Sequence, residues 1–303
     1  MIILDGAQTA AALPFDRLIP ALRDAFIAGA TVPLRHRHDL TDASLLLMPA
    51  WRQDAMFGVK VVSVFPGNGV RGLPSVSASY LLCDGETGQH LALIDGGEIT
   101  RRRTAAASAL AGSYLAREDA RSLLIVGSGH VAGLMADAYR AVRPIESVMV
   151  WNIRPTGAER LAARLGAKPV SDLAAAVAQA DIISCATLSR EPLVRGEWLR
   201  PGTHLDLIGG FTPAMREADD EAVRRARVFI DTDAPLAEAG DLIDPIAHGV
   251  LRGEDIAGSL FSLCRGETLG RRDPAEITLF KSVGSALEDL AAAGLAYAKE
   301  ETL

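Results

Sequence analysis

The stretch SLLIVGSGHVAG, residues 122–133, decides the fold of this 303-residue chain. An apolar strand runs directly into the pattern Gly127-x-Gly129-x-x-Ala132. In such a turn the first glycine permits the tight bend, the second lets backbone approach a pyrophosphate, and the small third residue lets helix pack on strand. We therefore predict a dinucleotide-binding loop, with a plain tight turn as the alternative, made of Gly127, Gly129, His130, Val131 and Ala132.

Strands and helices alternate on both sides of this loop. Apolar strands are predicted in SLLIV, SVMVW, DIISCA, THLDLI and VFID, and helices in GAERLAARLG, SDLAAAVAQA and READDEAVRRA. This alternation is typical of βαβ units, which build a parallel sheet. We expect a doubly wound, Rossmann-type α/β domain over residues 106–275.

The first third of the chain is rich in strands instead. Residues 59–65, 76–83 and 90–95 are strand-like, and the last two are separated by the turn DGETGQ. Residues 273–300 are predicted to form one long helix. We expect residues 1–105 and 276–303 to form a β-rich α+β domain into which the parallel-sheet domain is inserted.

Composition excludes several classes of protein. The chain is 49% hydrophobic, 23% charged and carries a net charge of −7, which argues against nucleic acid as a partner. The sequence has no uninterrupted run of 18 apolar residues, so no membrane span is predicted. The first residues lack the pattern of a signal peptide. Cys83, Cys185 and Cys264 are odd in number and widely spaced, which favours a reducing compartment. We expect a cytoplasmic protein.

The end of the second strand of the parallel sheet indicates the cofactor. An NAD enzyme places an acid there, on the ribose 2′-hydroxyl. The sequence VMVWNIRPTG has Asn152 and Arg154 in that region and no Asp or Glu. Because Arg154 could pair with a 2′-phosphate and stack on adenine, we favour NADPH, with NADH as the alternative. A solvated loop arginine is the other interpretation.

Three cations in the first third suggest an anionic ligand. Lys60 interrupts the apolar run GVKVVSVF, and a buried lysine needs an anionic partner. With Arg35 and Arg103, it could hold a substrate carboxylate through charge-assisted contacts, or each could be a surface residue. His36 and His38 lack the spacing of a metal site, so no metal is expected.

The chain resembles the ornithine cyclodeaminase/mu-crystallin family over almost its whole length. The resemblance is carried by GVKVVSVFPGN, LPSVSASYLLCDGETGQHLALIDGGEITRRRTAAASALA, LLIVGSGHVA, ISCATLS and LFKSVGSALEDL. It implies a homodimer in which the β-rich domains pair and bind substrate. It implies carboxylate binding at Arg35, Lys60 and Arg103, and cofactor contacts at Ser77, Arg103, Thr104, the glycine loop, Thr187 and Ser282.

One loop departs from the cyclodeaminases of that family. They carry an Asp directly after paired glycines and a Lys four residues later, whereas this chain has Phe211 and Met215 after Gly209 and Gly210. The loop resembles that of the family's imine reductases, which implies reduction of Δ1-pyrroline-2-carboxylate to proline, or of a six-membered imine to pipecolate. We expect Phe211 to be an apolar wall of the substrate site. Asp206 and Glu217 are expected to lie too far away to replace the missing acid.

Other functions remain open from the sequence. An alanine dehydrogenase would need the same carboxylate-binding cations, and a non-catalytic NADPH-dependent carrier like mu-crystallin would share the fold without turnover. Ornithine cyclodeamination is disfavoured, because the loop lacks its acid. For imine reduction, Lys60 is the candidate proton donor, with an ordered water as the alternative.

Overall fold

A computed structural model describes residues 1–53 and 55–300. Its strands are β1 (Ile2–Leu4), β2 (His36–Leu40), β3 (Ala43–Arg52), β4 (Met56–Val64), β5 (Val76–Asp84), β6 (His90–Asp95), β7 (Ser122–Val126), β8 (Ser147–Trp151), β9 (Lys168–Pro169), β10 (Ile182–Cys185), β11 (His204–Leu207), β12 (Arg227–Ile230), β13 (Gly258–Ser259) and β14 (Thr278–Lys281). Its α-helices are α1 (Gly6–Ala12), α2 (Phe15–Ala28), α3 (Gly96–Leu115), α4 (Met135–Arg140), α5 (Pro155–Leu165), α6 (Leu173–Gln179), α7 (Asp220–Arg225), α8 (Pro235–Glu238), α9 (Gly240–Ala247), α10 (Leu260–Cys264) and α11 (Ala286–Glu300).

The chain divides into two compact units. The first unit is Met1–Arg103 with Ser285–Leu303, and the second unit is Thr104–Gly284. The boundary therefore falls within α3. The expected domain boundary at 276 differs from the observed one, because β14 pairs with β11 and β12 in the second unit's sheet. The prediction of one helix over residues 273–300 is also wrong, because this segment forms β14 followed by α11.

The first unit is a six-stranded sheet with helices on one face. The strand order is β1-β6-β5-β4-β3-β2, and every neighbouring pair is antiparallel except β1 with β6. Alternation along β4 buries Lys60 and Val62 on the face that α11 covers, and exposes Phe57 and Val61 on the other.

Helix α2 completes the core of this unit. Its buried residues Phe15, Leu18, Leu22 and Phe26 recur every three or four positions and form one apolar stripe. Helix α2 packs against α11, whose Ala-rich surface allows close approach. Because these helices cover one face of the sheet only, the opposite face has no partner among the residues described in this unit.

The second unit is a parallel sheet, which confirms the α/β fold class. Its order is β13-β12-β14-β11-β10-β7-β8-β9, and all paired strands run parallel. The order reverses between β7 and β10. In doubly wound sheets, ligands bind at the carboxyl ends of the strands beside such a reversal. The loops after β7, β8, β10 and β11 are therefore the candidate ligand-binding loops.

Two findings bear on the expected compartment. No helix in the described ranges is long and apolar enough to cross a membrane. The three cysteines are free thiols, and Cys83 and Cys185 are buried. The cytoplasmic location stays a prediction.

Candidate functional site

The glycine loop after β7 has the shape a pyrophosphate requires. Gly127 has a φ of 115°, and a Cβ there would lie 2.6 Å from the carbonyl oxygen of Ala186. Only glycine fits both conditions. No described atom lies within 4 Å of a Cβ placed on Gly129, which is exposed, so its backbone is open to a ligand. Buried Ala132 begins the helical turn that leads into α4. His130 is exposed and Val131 half-buried beside it.

The loop after β8 carries the residues predicted to contact the adenosine ribose. Asn152 Nδ2 donates to the carbonyl oxygen of Arg154 at 2.9 Å, which fixes the turn before α5. Arg154 is exposed and directly precedes Pro155, the first residue of that helix. Residues 152–158 contain no acid. Electrostatics at this position therefore favour an anionic group, although the role of Arg154 stays a prediction.

A buried glutamate joins the loops that follow β10 and β11. Glu217 Oε1 accepts from the amide and hydroxyl of Thr187 at 2.8 and 2.7 Å. Its Oε2 accepts from the amides of Gly209 and Gly210 at 2.8 and 3.3 Å. A Cβ on Gly209 would lie 2.0 Å from the carbonyl oxygen of Thr187, so the two loops touch through backbone. The expectation that Glu217 lies far from this loop is wrong, because the chain folds back after Pro213.

Glu217 belongs to a fully buried cluster with Asp241 and Lys281. Lys281 Nζ lies 2.8 Å from Asp241 Oδ2, and Asp241 Oδ1 accepts from the amides of Glu217 and Ala218. Burial raises the pKa of Glu217 to about 7, and Asp241 adds to that shift while Lys281 opposes it. The carboxylate of Glu217 therefore changes charge near neutral pH. We call Glu217, Asp241 and Lys281 the anionic cluster.

Two further buried groups lie on the same sheet. Asp206 accepts hydrogen bonds from the hydroxyls of Ser108, Tyr139 and Ser184, which anchors β11 to its neighbours. Burial raises the pKa of Asp206 to about 6 despite those bonds. Ser282, a predicted cofactor contact, is buried, and its amide donates to the carbonyl oxygen of Leu207. Asp206 is thus a core residue and does not reach the loop after β11.

Phe211 is the side chain that this loop presents. It is 45% exposed, whereas Glu217, which accepts from the two amides before it, is wholly buried. Asp219 caps α7, and Asp220 pairs with Arg216 and His248. The loop thus offers an apolar surface and no exposed acid.

The first unit contains a second buried cluster, of opposite sign. Lys60 is 2% exposed, and its Nζ lies 2.7 Å from Asp289 Oδ2 and 3.1 Å from Thr100 Oγ1. Arg103 donates to Glu288 at 2.8 Å and to Asp289 at 3.0 Å. We call Lys60, Arg103 and the half-buried Arg35, with Asp289 and Glu288, the cationic cluster, since its three cations outnumber its two acids.

The electrostatics of the cationic cluster bring the pKa of Lys60 closer to neutral pH. Burial lowers the pKa of Lys60 to about 8; Asp289 opposes that shift, and Arg103 and Arg35 reinforce it. For Asp289, burial alone would raise the pKa, but Lys60 and Arg103 outweigh it and hold the pKa low. An ammonium with a pKa near 8 is an effective general acid at neutral pH.

The remaining predicted cofactor residues lie in different units. Ser77 is exposed on β5 of the first unit, and Thr104 is half-buried in α3 at the start of the second unit. Their roles, like that of Thr187, stay predictions.

Sequence reasoning missed the acidic partners of both clusters. Glu288 and Asp289 interrupt the Ala- and Leu-rich run SALEDLAAAG, as Lys60 interrupts its strand, and that signal could have identified them. Lys281 gave the same signal in LFKSVG. Nothing local marks Glu217, in the polar segment READD, or Asp241, at the start of the apolar helix α9.

The sheet order and the glycine loop define a Rossmann-type dinucleotide-binding protein. The model of the ornithine cyclodeaminase/mu-crystallin family matches residues 14–302, and the chain belongs to that family. The resemblance found in the sequence is therefore confirmed. In the described residues, no group of three or more His, Cys, Asp or Glu side chains could hold a metal ion.

Three relatives carry names that bear on function. A Δ1-pyrroline-2-carboxylate reductase of Paracoccus denitrificans is 42% identical over 278 residues, covering 88% of each chain. The structure of Thermococcus litoralis Δ1-pyrroline-2-carboxylate reductase with NADH and L-proline is 38% identical, with a TM-score of 0.93, and the match covers 100% of this chain and 98% of that one. An archaeal alanine dehydrogenase dimer with bound NAD is 29% identical, with a TM-score of 0.92 and coverage of 100% and 97%.

Proposed function

We propose that this protein is an NAD(P)H-dependent reductase of cyclic imine carboxylates. The substrate would be Δ1-pyrroline-2-carboxylate, giving L-proline, or Δ1-piperideine-2-carboxylate, giving L-pipecolate. The observation that carries the proposal is the loop after β11, where Phe211 is half-exposed and Glu217 is buried. The cyclodeaminases that the chain resembles carry an Asp at the position of Phe211, and this loop offers no exposed acid in its place. Two relatives named Δ1-pyrroline-2-carboxylate reductase, matched over 88% and 100% of this chain, support the proposal.

The residues of the chain divide the work of this reaction. A reduced nicotinamide supplies the hydride that the imine carbon accepts. Lys60, Arg103 and Arg35 would bind the substrate carboxylate through charge-assisted contacts. The ring nitrogen needs one proton, which arrives with an iminium substrate or from Lys60 Nζ. Phe211 would form the apolar wall and exclude water from hydride transfer.

A substrate panel tests this function directly. NADPH absorbance should fall with pyrroline-2-carboxylate, and much more slowly with pyruvate plus ammonia. Ornithine with NAD+ should release no ammonia. Faster turnover of pyruvate would favour an alanine dehydrogenase, to which the archaeal relative points. Binding of NADPH without oxidation of any substrate would instead identify a carrier, and ammonia released from ornithine at a comparable rate would establish a cyclodeaminase.

The preference for NADPH is proposed from the loop after β8. Arg154 is exposed there and no acid lies in residues 152–158, so a 2′-phosphate meets attraction and no repulsion. The two relatives with bound dinucleotide hold NADH and NAD, so NADH is the alternative.

We also propose a homodimer formed through the uncovered face of the first unit's sheet. Trp51 pairs across the strands with Phe57, and Leu47 with Val61, so these apolar side chains form one patch. Trp51, Phe57 and Val61 are each more than a third exposed. Monomeric proteins rarely leave such a contiguous patch uncovered. In sedimentation velocity, Val61→Glu should yield monomers where the wild type sediments as a dimer; a monomeric wild type would contradict the proposal.

A further inference from the structure

We propose that Glu217 is a positioning residue, whose single carboxylate holds the loop after β10 and the loop after β11 in one fixed arrangement. Thr187 lies on one loop, and Gly209 and Gly210 lie on the other, directly before Phe211. What those loops bind rests on the proposed function. We call the arrangement of Glu217 with Thr187, Gly209 and Gly210 the clamp. It rests only on the geometry of the second unit.

The geometry requires a carboxylate and no other group. Each oxygen of Glu217 faces two donors, Oε1 those of Thr187 and Oε2 the amides of Gly209 and Gly210. An ionised carboxylate has only acceptors, so it can satisfy both sets at once. A glutamine would turn an NH2 group toward one loop and leave at least one backbone N–H there without its acceptor, since the Thr187 hydroxyl can reverse its role but the amides cannot. Glu217→Gln therefore releases one loop and keeps the other.

The clamp is sterically close-fitting as well as hydrogen-bonded. A Cβ on Gly209 would lie 2.5 Å from Glu217 Oε1, and a Cβ on Gly210 would lie 3.0 Å from Asp241 Oδ2. Because the paired glycines lack side chains, the loop backbone can pack directly against the anionic cluster. Phe211 follows without a residue between, so its orientation depends on where those two amides are held.

Protonation of Glu217 should loosen the clamp. The groups that face it are Lys281 at the end of β14, Asp241 at the start of α9 and the Cys185 thiol at the end of β10. With a pKa of about 7, the carboxylate is ionised at pH 8 and mostly protonated at pH 6. A protonated oxygen becomes a donor and opposes the amides it faces. Both loops should therefore open more often as pH falls through about 7.

Amide hydrogen exchange of the ligand-free protein tests the clamp without any substrate. After correction for intrinsic rates, protection at Thr187, Gly209 and Gly210 should be about tenfold greater at pH 8 than at pH 6, following the ionised fraction. In Glu217→Gln, protection should be lost in one of the two loops and should no longer depend on pH. Unchanged protection at Thr187, Gly209 and Gly210 in Glu217→Gln would overturn the clamp, whereas equal protection at both pH values in the wild type would overturn its pH dependence.

Kinetics provide the second readout. Wild-type kcat/KM for the imine should fall as pH drops below about 7, whereas Glu217→Gln should show a lower and flat profile on that side, with kcat reduced more than KM is raised. Glu191→Gln, an exposed acid near the same loop, is the matched control and should keep the wild-type profile. If Glu217→Gln kept the wild-type kcat and the wild-type decline of kcat/KM below pH 7, the positioning role would be rejected. Absence of any imine reduction in the wild type would reject the proposed function instead, and would leave the exchange result to decide on the clamp.

Discussion

Each unit of this protein buries a lysine among carboxylates, yet the two clusters carry opposite surplus charge. The cationic cluster of the first unit has Lys60 and Arg103 against Asp289 and Glu288, with Arg35 beside them. The anionic cluster of the second unit has one lysine, Lys281, against two acids. A buried surplus charge must be compensated.

The difference in sign corresponds to a difference in role. In the anionic cluster, backbone amides and the Thr187 hydroxyl compensate the extra carboxylate, so the surplus organises loops. In the cationic cluster, Asp289 and Glu288 match Lys60 and Arg103, and Arg35 is the additional cation that a substrate carboxylate would meet. Burial also brings the pKa values of the two titrating groups closer together, to about 8 for Lys60 and about 7 for Glu217. Activity should therefore peak between these values.

The largest expected effect comes from removing the lysine of the cationic cluster. Lys60→Met should raise KM for the imine by about tenfold to about 150-fold, because a charge-assisted contact is worth about 1.5–3 kcal/mol. The fold should survive, since Arg103 still pairs with Asp289. Steady-state kinetics together with a melting curve separate the two effects. Lys60→Arg is the matched control, and an unchanged KM in Lys60→Met would reduce Lys60 to a structural cation.

The alkaline side of the pH profile sharpens the same comparison. Lys60 is charged below its pKa, so kcat/KM should fall about tenfold per pH unit once pH rises above about 8. In Lys60→Arg the charge persists, and the decline should move to higher pH. Titration of the substrate imine is common to both proteins and cancels in their ratio. An identical decline in the two would show that the substrate, and not Lys60, titrates.

Charge reversal in the loop after β8 tests a more exposed cation, Arg154. Arg154→Asp should invert the preference from NADPH to NADH by at least about tenfold, since about 1.4 kcal/mol of phosphate interaction is a factor of ten. The measurement is the ratio of kcat/KM for the two cofactors, and Arg160→Asp, farther along α5, serves as the control. A wild type that prefers NADH would refute the assignment of Arg154 to a 2′-phosphate.

The smallest effect is expected where the anionic cluster holds the loop. Phe211→Leu should retain imine reduction, because an apolar wall remains. Phe211→Asp should lower kcat/KM by about fivefold, since an exposed carboxylate near an anionic substrate costs about 1 kcal/mol. Activity measurements on both variants decide the matter. Faster reduction by the Asp variant would mean that Phe211 occupies the place of a proton donor.

The sequence determined the parts of this protein that depend on local pattern. The glycine loop was predictable because the turn after β7 needs Gly127 at positive φ and a small Ala132, whatever surrounds them. The strands β4, β5 and β6 followed from alternation, and the burial of Lys60 from its place in an apolar run. The α/β fold class followed from the alternation of strands and helices after residue 122, and the family motifs agree with it.

Only the tertiary structure decided what depends on distant pairing. It placed β14 between β11 and β12, so that Lys281 lies beside Asp241, and it brought α11 over β4, so that Asp289 meets Lys60. It also returned Glu217 beneath the loop that Phe211 occupies. Such contacts join residues from separate elements. In the sequence, a buried charged residue is recognisable only as a charged residue within an apolar run. Its partner is chosen by the packing of strands and helices, which no local pattern specifies.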